Sequence, residues 1–365
     1  MRVRRDLDAF AGAVDQGDIG EDVRTVHEMY DTARSLVAEG KGILAADESD
    51  GTIKKRFDAV GVSSTEENRR TYREALFTTP GVEEYISGVI LFDETIRQRS
   101  HDGVPLPQLL ASRGIIPGIK VDRGAKPLAL TDGETVTEGL DGLRGRFEEY
   151  RALGARFGKW RATFSVAAGK PSDYCVRANA QALARYAALC QEAGLVPIVE
   201  PEVLMDGTHS LEESALVTAQ VLQALYDELY AQRVDLRATL LKPNMVLSGY
   251  SAAEQAGVAQ VAEATLDVLY RHVPAAVPGI VFLSGGQSEE AATVHLNALN
   301  ARGPHPWPLS FSYGRALQAA ALKAWRGSPQ NLAGAQHAFL HRARMNGAAR
   351  AGRYSADAEH EAAVV

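Results

Sequence analysis

The chain has 365 residues, of which 45% are hydrophobic and 23% are charged, a composition that is ordinary for a globular protein with a large core. Its net charge of -7 argues against general binding to nucleic acid, because a phosphate backbone attracts a basic surface. The sequence contains neither a secretory signal nor an apolar run of roughly 18 residues, so we expect a cytoplasmic protein with no membrane partner.

One pattern repeats along the chain: a short apolar segment ends in polar residues and is followed by a longer segment with helical spacing. The apolar segments occupy residues 42–49, 85–94, 114–124, 157–166, 196–203, 238–246, 279–287 and 307–315. Eight such units predict a single-domain α/β protein with a closed (β/α)8 TIM barrel. An open doubly wound sheet is the alternative, but it usually has fewer strands and a glycine loop at its switch point.

The domain organisation follows from where this pattern begins and ends. We expect an N-terminal extension over residues 1–35 and a barrel with a C-terminal helix over residues 36–345. The segment 346–365 has little apolar periodicity, and we expect it to be a mobile C-terminal tail.

Lys242 lies near the middle of the run of residues 238–246 and precedes a proline, which places its amine at the carboxyl end of a buried strand. An ordinary lysine has a pKa near 10.4, so about one amine in a few thousand is neutral at pH 7. Burial or a neighbouring cation lowers that pKa and makes attack on a carbonyl feasible. We therefore interpret Lys242 as a candidate Schiff-base lysine; the alternative is a lysine whose stem packs under the sheet rim.

Charged and polar side chains end most of the predicted strands, and in a barrel these ends meet at one mouth, where active sites lie. Because side chains alternate along a strand, Lys159 and Arg161 share one face, as do Glu200 and Glu202. Burying many charges for stability alone is unfavourable, so we favour a catalytic site over a structural ion-pair network. The candidate residues at these ends are Asp47, Lys120, Lys159, Arg161, Glu200, Glu202, Lys242, Ser284 and Arg315.

Two glycine-containing loops follow the seventh and eighth predicted strands, where barrels commonly bind phosphate. Small residues let backbone amides approach an anion, and the N-terminus of the next helix adds a favourable dipole. A simple turn is the alternative for each loop alone, and the pair favours a phosphate site. The candidate binding residues are Ser284, Gly285, Gly286, Ser312, Gly314 and Arg315.

A second candidate anion site lies after the first predicted strand, in the segment ESDGTIKKR. Ser49, Thr52 and Arg56 surround the start of a predicted helix there, and we interpret them as substrate-binding residues. The alternative, a helix N-cap followed by a solvated basic face, fits the pattern almost equally well.

The motifs ILAADES, GIKVDRG, KWR, VEPE, LLKPNM, FLSGGQSEEAA and SFSYGRALQ resemble those of class I (Schiff-base) fructose-bisphosphate aldolases, in order and over nearly the whole chain. The resemblance implies reversible cleavage of fructose 1,6-bisphosphate into dihydroxyacetone phosphate and glyceraldehyde 3-phosphate, usually by a homotetramer. It implies Lys242 as the Schiff-base lysine and Glu200 as the acid-base residue, with Asp47 and Lys159 at the reacting centre. Residues that match further active-site positions are Glu202, Lys120, Arg161, Ser284 and Arg315, and Arg56 matches a substrate-phosphate position.

For the chemistry, we expect neutral Lys242 to attack the C2 ketone, helped by the positive charge of Lys159, which disfavours a second ammonium. Glu200, kept partly protonated by burial and by its neighbour Glu202, is expected to move the protons of dehydration. The resulting iminium accepts electrons when the C3–C4 bond breaks, and either Asp47 or Glu200 takes the C4 hydroxyl proton. No metal or other cofactor is expected, because the covalent nitrogen acts as the electron sink.

Two features depart from the vertebrate pattern of this family. Asp50 stands where a small hydroxyl residue is common, which puts a carboxylate near a predicted phosphate. The chain also ends in EHEAAVV, without the terminal tyrosine that vertebrate members use to protonate the enamine. Tyr354 lies too early to be equated with it, so water or an active-site acid is the expected proton donor.

Three other functions are compatible with a barrel. A transaldolase-like or monophosphate aldolase uses the same lysine but needs no anion site at both ends of its substrate. A glycoside hydrolase needs two carboxylates flanking one bond and an aromatic groove, whereas this chain has only 3 tryptophans. A non-catalytic scaffold would have no need for lysines at the mouth.

Overall fold

The structure is a computed structural model, and it describes residues 16–361. Its strands are β1 (Gly42–Ala46), β2 (Ile86–Leu91), β3 (Ile116–Lys120), β4 (Ala125–Pro127), β5 (Thr135–Thr137), β6 (Phe157–Phe164), β7 (Val196–Val203), β8 (Leu240–Leu241), β9 (Ile280–Phe282) and β10 (Leu309–Tyr313). Its helices are α1 (Gln16–Leu36), α2 (Asp50–Asp58), α3 (Glu66–Phe77), α4 (Asp93–Arg97), α5 (Leu106–Ser112), α6 (Leu143–Ala152), α7 (Asp173–Glu192), α8 (Leu211–Ala231), α9 (Val258–His272), α10 (Glu289–Asn300), α11 (Arg315–Trp325), α12 (Leu332–Arg350) and α13 (Ala356–Glu361).

Eight of the strands form a closed barrel in the order β1-β10-β9-β8-β7-β6-β3-β2. Every neighbouring pair is parallel, and β1 pairs with both β2 and β10, which closes the sheet on itself. The predicted (β/α)8 TIM barrel is therefore confirmed, and an open doubly wound sheet is excluded. All active-site candidates consequently share one end of the barrel.

Local chemistry sets where strands give way to helices. The residues of β7 are all buried, as expected for a strand covered on both faces. The chain then reaches Ser210, whose side chain accepts a hydrogen bond from the Glu213 amide, while the Glu213 carboxylate accepts one from the Ser210 amide. This capping box satisfies two amides that α8 would otherwise leave unpaired. The return helix therefore begins at Leu211, after a connection over residues 204–210 from the end of β7.

The amino end of the barrel is filled by apolar side chains. Met29, Leu36 and Val37, on or just after α1, belong to one buried cluster with Phe157 of β6 and Ile198 of β7. The space is tight enough that a Cβ on Gly118 would lie 2.2 Å from the Phe157 ring. Side chains therefore fill the interior of the barrel at its amino end.

Several elements lie outside the eight predicted units. The short hairpin of β4 and β5 follows β3, and each of its strands has 3 residues, too few to produce a recognisable alternation in sequence. The predicted boundary at residue 345 falls within α12, and α13 follows, where Glu359 accepts hydrogen bonds from Arg342 and from the Tyr354 hydroxyl. The predicted mobility of the tail stays a prediction, and residues 1–15 and 362–365 lie outside the described part.

None of the helices between residues 16 and 361 combines the length and the apolar character needed to cross a membrane.

Candidate active site

A cleft of about 1250 Å³ opens at the carboxyl end of the barrel, and the site residues predicted from the sequence all line it. They come from strands or strand ends around the barrel and from the start of α2. The structure thus brings together Asp47, Ser49, Thr52, Arg56, Lys120, Lys159, Arg161, Glu200, Glu202, Lys242, Ser284, Gly285, Gly286, Ser312, Gly314 and Arg315.

The register between β7 and β8 places Lys242 beside Glu200. Val199 pairs with Leu241, so Glu200 and Lys242 are the next residues on two adjacent strands. The Lys242 amide also donates a hydrogen bond of 2.8 Å to the Val199 carbonyl, which extends the pairing by one residue. As a result, Lys242 Nζ lies 3.0 Å from Glu200 Oε1, and both side chains are buried.

Two further residues extend this contact into a row of four alternating charges. Lys159 Nζ lies 3.1 Å from Glu200 Oε2 and 2.7 Å from Asp47 Oδ2. Glu200 Oε2 accepts no hydrogen bond from any residue in the described part of the chain, despite its proximity to Lys159. We name Asp47, Lys159, Glu200 and Lys242 the charge row. Two cations and two anions balance within it, which offsets the cost of burying them.

The pKa values of the row follow from this balance. Burial raises the pKa of Asp47, but Lys159 and Lys242 outweigh it and lower the pKa to about 2. Burial likewise opposes ionisation of Glu200, yet Lys159, Lys242 and Arg161 hold its pKa below the ordinary value. Burial lowers the pKa of Lys159, and the carboxylates of Asp47 and Glu200 reverse this and raise it well above its usual range. Asp47, Lys159 and Glu200 are therefore ionised near neutral pH.

This result corrects the expectation that Glu202 keeps Glu200 partly protonated. Glu202 instead forms an ion pair with Arg161 Nε, and the guanidinium compensates the charge of the Glu202 carboxylate. The local field at Glu200 is set by cations, so its carboxylate is charged in the free protein.

Two cations that were predicted to bind substrate are paired with carboxylates absent from the sequence prediction. Lys120 Nζ lies 2.7 Å from Asp122 Oδ1, and Arg56 forms an ion pair with the buried Glu48. Asp122 follows Lys120 by two residues, a spacing that places both on one face of an extended segment, so the pair was readable from the sequence. The pairing of Glu48 with Arg56 could not be predicted from the local sequence. Glu48 is held by Arg73, 25 residues later on α3, whose guanidinium donates a hydrogen bond of 2.9 Å to the Glu48 carbonyl.

The two glycine loops present unpaired hydrogen-bond donors to the cleft. Within residues 16–361, the backbone amides of Ser284, Gly285 and Gly286 donate no hydrogen bond. Gly285 and Gly286 have φ angles of +56° and +91°, a left-handed conformation that glycine adopts without strain. Arg315 is exposed at the start of α11 and has no ion-pair partner in the same range. These donors can bind an anion.

The start of α2 offers a smaller group of donors. Ser49 is the N-cap residue of α2, but its side chain caps no amide and its hydroxyl lies 3.2 Å from that of Thr52. Asp50 occupies the exposed first turn, where a carboxylate interacts favourably with the helix dipole. The two hydroxyls and Arg56 therefore lie at the cleft with Asp50 as a nearby anion.

Known proteins resemble this chain over most of its length. Residues 28–364 match the family described as fructose-bisphosphate aldolase class-I. The chain is 57% identical over 331 residues to a probable fructose-bisphosphate aldolase class 1 of Xanthomonas campestris pv. campestris, covering 90% of this chain and 99% of that protein. It is 52% identical to fructose-bisphosphate aldolase 4, cytosolic, of Arabidopsis thaliana, over 92% of this chain and 86% of the relative. A solved structure of fructose-bisphosphate aldolase from Plasmodium falciparum superposes with a TM-score of 0.90 at 51% identity, covering 91% of this chain and 96% of that chain.

The lowered pKa of Asp47 predicts how its substitution changes stability with pH. The ionised carboxylate stabilises the folded protein above the usual pKa of 3.8, and this stabilisation is lost as pH falls towards about 2. We expect D47N to reduce the free energy of unfolding by about 2 kcal/mol near pH 7 and by less near pH 3. Urea unfolding followed by circular dichroism measures both values.

The matched control is D132N. Asp132 is fully exposed, and its contact with Lys170, at 3.4 Å, is longer than the 2.7 Å contact of Asp47 with Lys159. We expect this variant to change stability little at either pH. A D47N penalty of the same size at both pH values would contradict the charge assignment of the row.

Proposed function

Because the chain belongs to the class-I fructose-bisphosphate aldolase family, we propose that Lys242 is the residue that captures its ketose substrate. The reaction is the reversible cleavage of fructose 1,6-bisphosphate into dihydroxyacetone phosphate and glyceraldehyde 3-phosphate. The observation that carries the assignment is the buried contact of 3.0 Å between Lys242 Nζ and Glu200 Oε1. A lysine beside a carboxylate that can take its proton is suited to attack a carbonyl.

The first step is a proton transfer inside the charge row. Glu200 takes one proton from Lys242, which leaves a neutral amine and a neutral carboxylic acid without changing the net charge of the row. Lys159 acts on both partners: its ammonium repels the positive charge of Lys242, which favours the transfer, and it stabilises the Glu200 carboxylate, which opposes it. The nucleophile is thus generated at neutral pH within a buried site.

Imine formation uses the same two residues. The Lys242 nitrogen forms a bond to C2 of the open-chain sugar, and the carbonyl oxygen becomes a hydroxyl. Glu200 then returns its proton to this hydroxyl, which leaves as water and produces an iminium on Lys242. Glu200 is again a carboxylate, beside the ammonium of Lys159.

Carbon-carbon cleavage follows from this state. Glu200 takes the C4 hydroxyl proton, the C3–C4 electrons move into the iminium, and glyceraldehyde 3-phosphate leaves an enamine on Lys242. Asp47 is less suited to this role, because its contact in the row is with Lys159 and not with Lys242, which carries the iminium. It instead orients Lys159 through their 2.7 Å contact. Protonation of C3, by Glu200 or water, and hydrolysis release dihydroxyacetone phosphate.

Two groups of donors suit the two phosphates. The loops after β9 and β10 are close to Lys242 in the barrel order, so we assign the C1 phosphate to the free amides of Ser284–Gly286, with Arg315. The hydroxyls of Ser49 and Thr52, with Arg56, suit the C6 phosphate. Ser312 and Gly314 belong to the same phosphate loop as Arg315, and Lys120 and Arg161 are proposed to bind the sugar between the two phosphates. Glu202, a catalytic candidate, forms an ion pair with Arg161 at the reacting centre.

The assembly and the location of the protein extend this proposal. Leu216 and Tyr230 are 71% and 63% exposed on α8, and their 14-residue separation is close to four helical turns, so they share one face. We propose a homotetramer, the assembly that the family resemblance implies, with these two side chains at one of its interfaces. The Arabidopsis relative described as cytosolic supports a cytoplasmic protein.

Trapping with borohydride tests Lys242. Incubation with dihydroxyacetone phosphate and borohydride should reduce the imine to a stable amine, so we expect one triose adduct per chain, located at Lys242 by peptide mass spectrometry. K242R should form no adduct, whereas K323R, which changes an exposed lysine of α11, should label normally. A chelator should leave turnover intact. Labelling at another lysine, or none in the unmodified protein, would overturn the assignment.

Substitution of Glu200 tests the proton transfers. E200Q removes the proton acceptor, so we expect both adduct formation and cleavage to slow by about 10²- to 10⁴-fold. The control is E192Q, since Glu192 is an exposed carboxylate that pairs with Arg144 outside the cleft. Rates for E200Q that match the unmodified protein would assign the proton transfers to another group.

Sedimentation or light scattering tests the assembly. We expect a mass of four chains at micromolar concentration, because a tetramer covers the exposed apolar residues of α8. A mass of one chain across the concentration range would show that this face needs no partner.

A further inference from the structure

Tyr250 contacts the glycine loop after β9 from outside the cleft. Its hydroxyl donates a hydrogen bond of 2.5 Å to the Gly285 carbonyl and lies 3.5 Å from Met205 Sδ. The segment that carries Tyr250 is itself fixed, because the Tyr250 amide donates to the Met205 carbonyl at 2.8 Å and the Ser251 amide to the Gly207 carbonyl at 2.9 Å. The hydroxyl is therefore presented to the loop from a defined position.

This contact determines the direction of the next amide. In a planar trans peptide the carbonyl of one residue and the amide of the next point in opposite directions. The Gly285 carbonyl accepts a hydrogen bond from Tyr250, so the Gly286 amide points away from the Tyr250 hydroxyl, and both glycines line the cleft. Glycine at positive φ has no strong conformational preference of its own, so an outside contact is needed to hold this orientation.

Arg315 also contacts the loop at Gly286. A Cβ on Gly286 would lie 2.8 Å from Arg315 Nη2 and 2.9 Å from Tyr250 Oη, so the guanidinium and the hydroxyl both pack against this glycine. Burial raises the pKa of Tyr250 to about 12, despite the opposing charge of Arg315. The hydroxyl keeps its proton and remains a donor to the carbonyl.

We propose that Tyr250 is a positioning residue for phosphate binding: its hydroxyl holds the Gly285–Gly286 peptide so that the Gly286 amide and Arg315 face the same anion. The inference rests on the proposed binding of the C1 phosphate at this loop. Tyr250 acts through the loop and does not contact the reacting atoms.

The test compares two ketones that differ only by the phosphate. Borohydride trapping at Lys242 is measured against concentration for dihydroxyacetone phosphate and for dihydroxyacetone, with Y250F and the unmodified protein. Loss of one hydrogen bond should raise the half-saturating concentration of dihydroxyacetone phosphate by about 3- to 10-fold. Labelling by dihydroxyacetone and the maximal labelling rate should stay unchanged, because neither depends on the phosphate.

Y270F is the matched control, since the Tyr270 hydroxyl bonds His305 outside the cleft and its loss should change neither ketone. R315A reports on the phosphate subsite itself. If R315A weakens dihydroxyacetone phosphate and Y250F does not, the positioning role is wrong while the subsite stands. If Y250F weakens both ketones alike, Tyr250 is merely structural and the proposal fails. If neither variant discriminates the ketones, the subsite is wrong and the role of Tyr250 falls with it, while Lys242 trapping still tests the proposed function separately.

Discussion

The ionic contacts of the charge row are the constraint on which the rest of the site depends. Asp47, Lys159, Glu200 and Lys242 lie on or just after four strands, and their contacts span 2.7 to 3.1 Å. An unpaired buried ion costs several kcal/mol, so each member requires its neighbours in place. A change of register between these strands would separate opposite charges. Barrel closure and the distance between Lys242 and Glu200 are therefore set together.

The cleft contains two kinds of polar group: charges on its floor that are paired with one another, and donors at its rim that have no partner among residues 16–361. On its floor, charges are paired, so a proton can move from Lys242 to Glu200 without creating net charge. At its rim, the amides of Ser284–Gly286 and the guanidinium of Arg315 have no partner among residues 16–361, so these donors are free to bind the proposed phosphate. Binding energy is thus available at a distance from the reacting carbon, where it can hold the ketone against the lysine.

Much of this arrangement was predictable from local sequence, because each barrel strand is a short buried run with a polar end. The location of Lys242 and of the glycine loops at the cleft could be predicted from their positions in or after such runs. The hairpin of β4 and β5 could not, since its strands are too short to show alternation. The ionisation of Glu200 was predicted wrongly, because sequence proximity suggested Glu202 as its partner, whereas the fold pairs Glu202 with Arg161. Glu48 was missed because α3, distant in sequence, supplies the arginine that fixes it.

The most direct test of the central claim is a crystal structure of the protein soaked with dihydroxyacetone phosphate without a reducing agent. We expect continuous density from Lys242 Nζ to C2 of the triose, the Glu200 carboxylate within hydrogen-bonding distance of the new bond, and the phosphate on the loop of Gly285 and Gly286. A bound triose with Lys242 still paired to Glu200 and no bond to C2, or a bond to Lys159 instead, would contradict it.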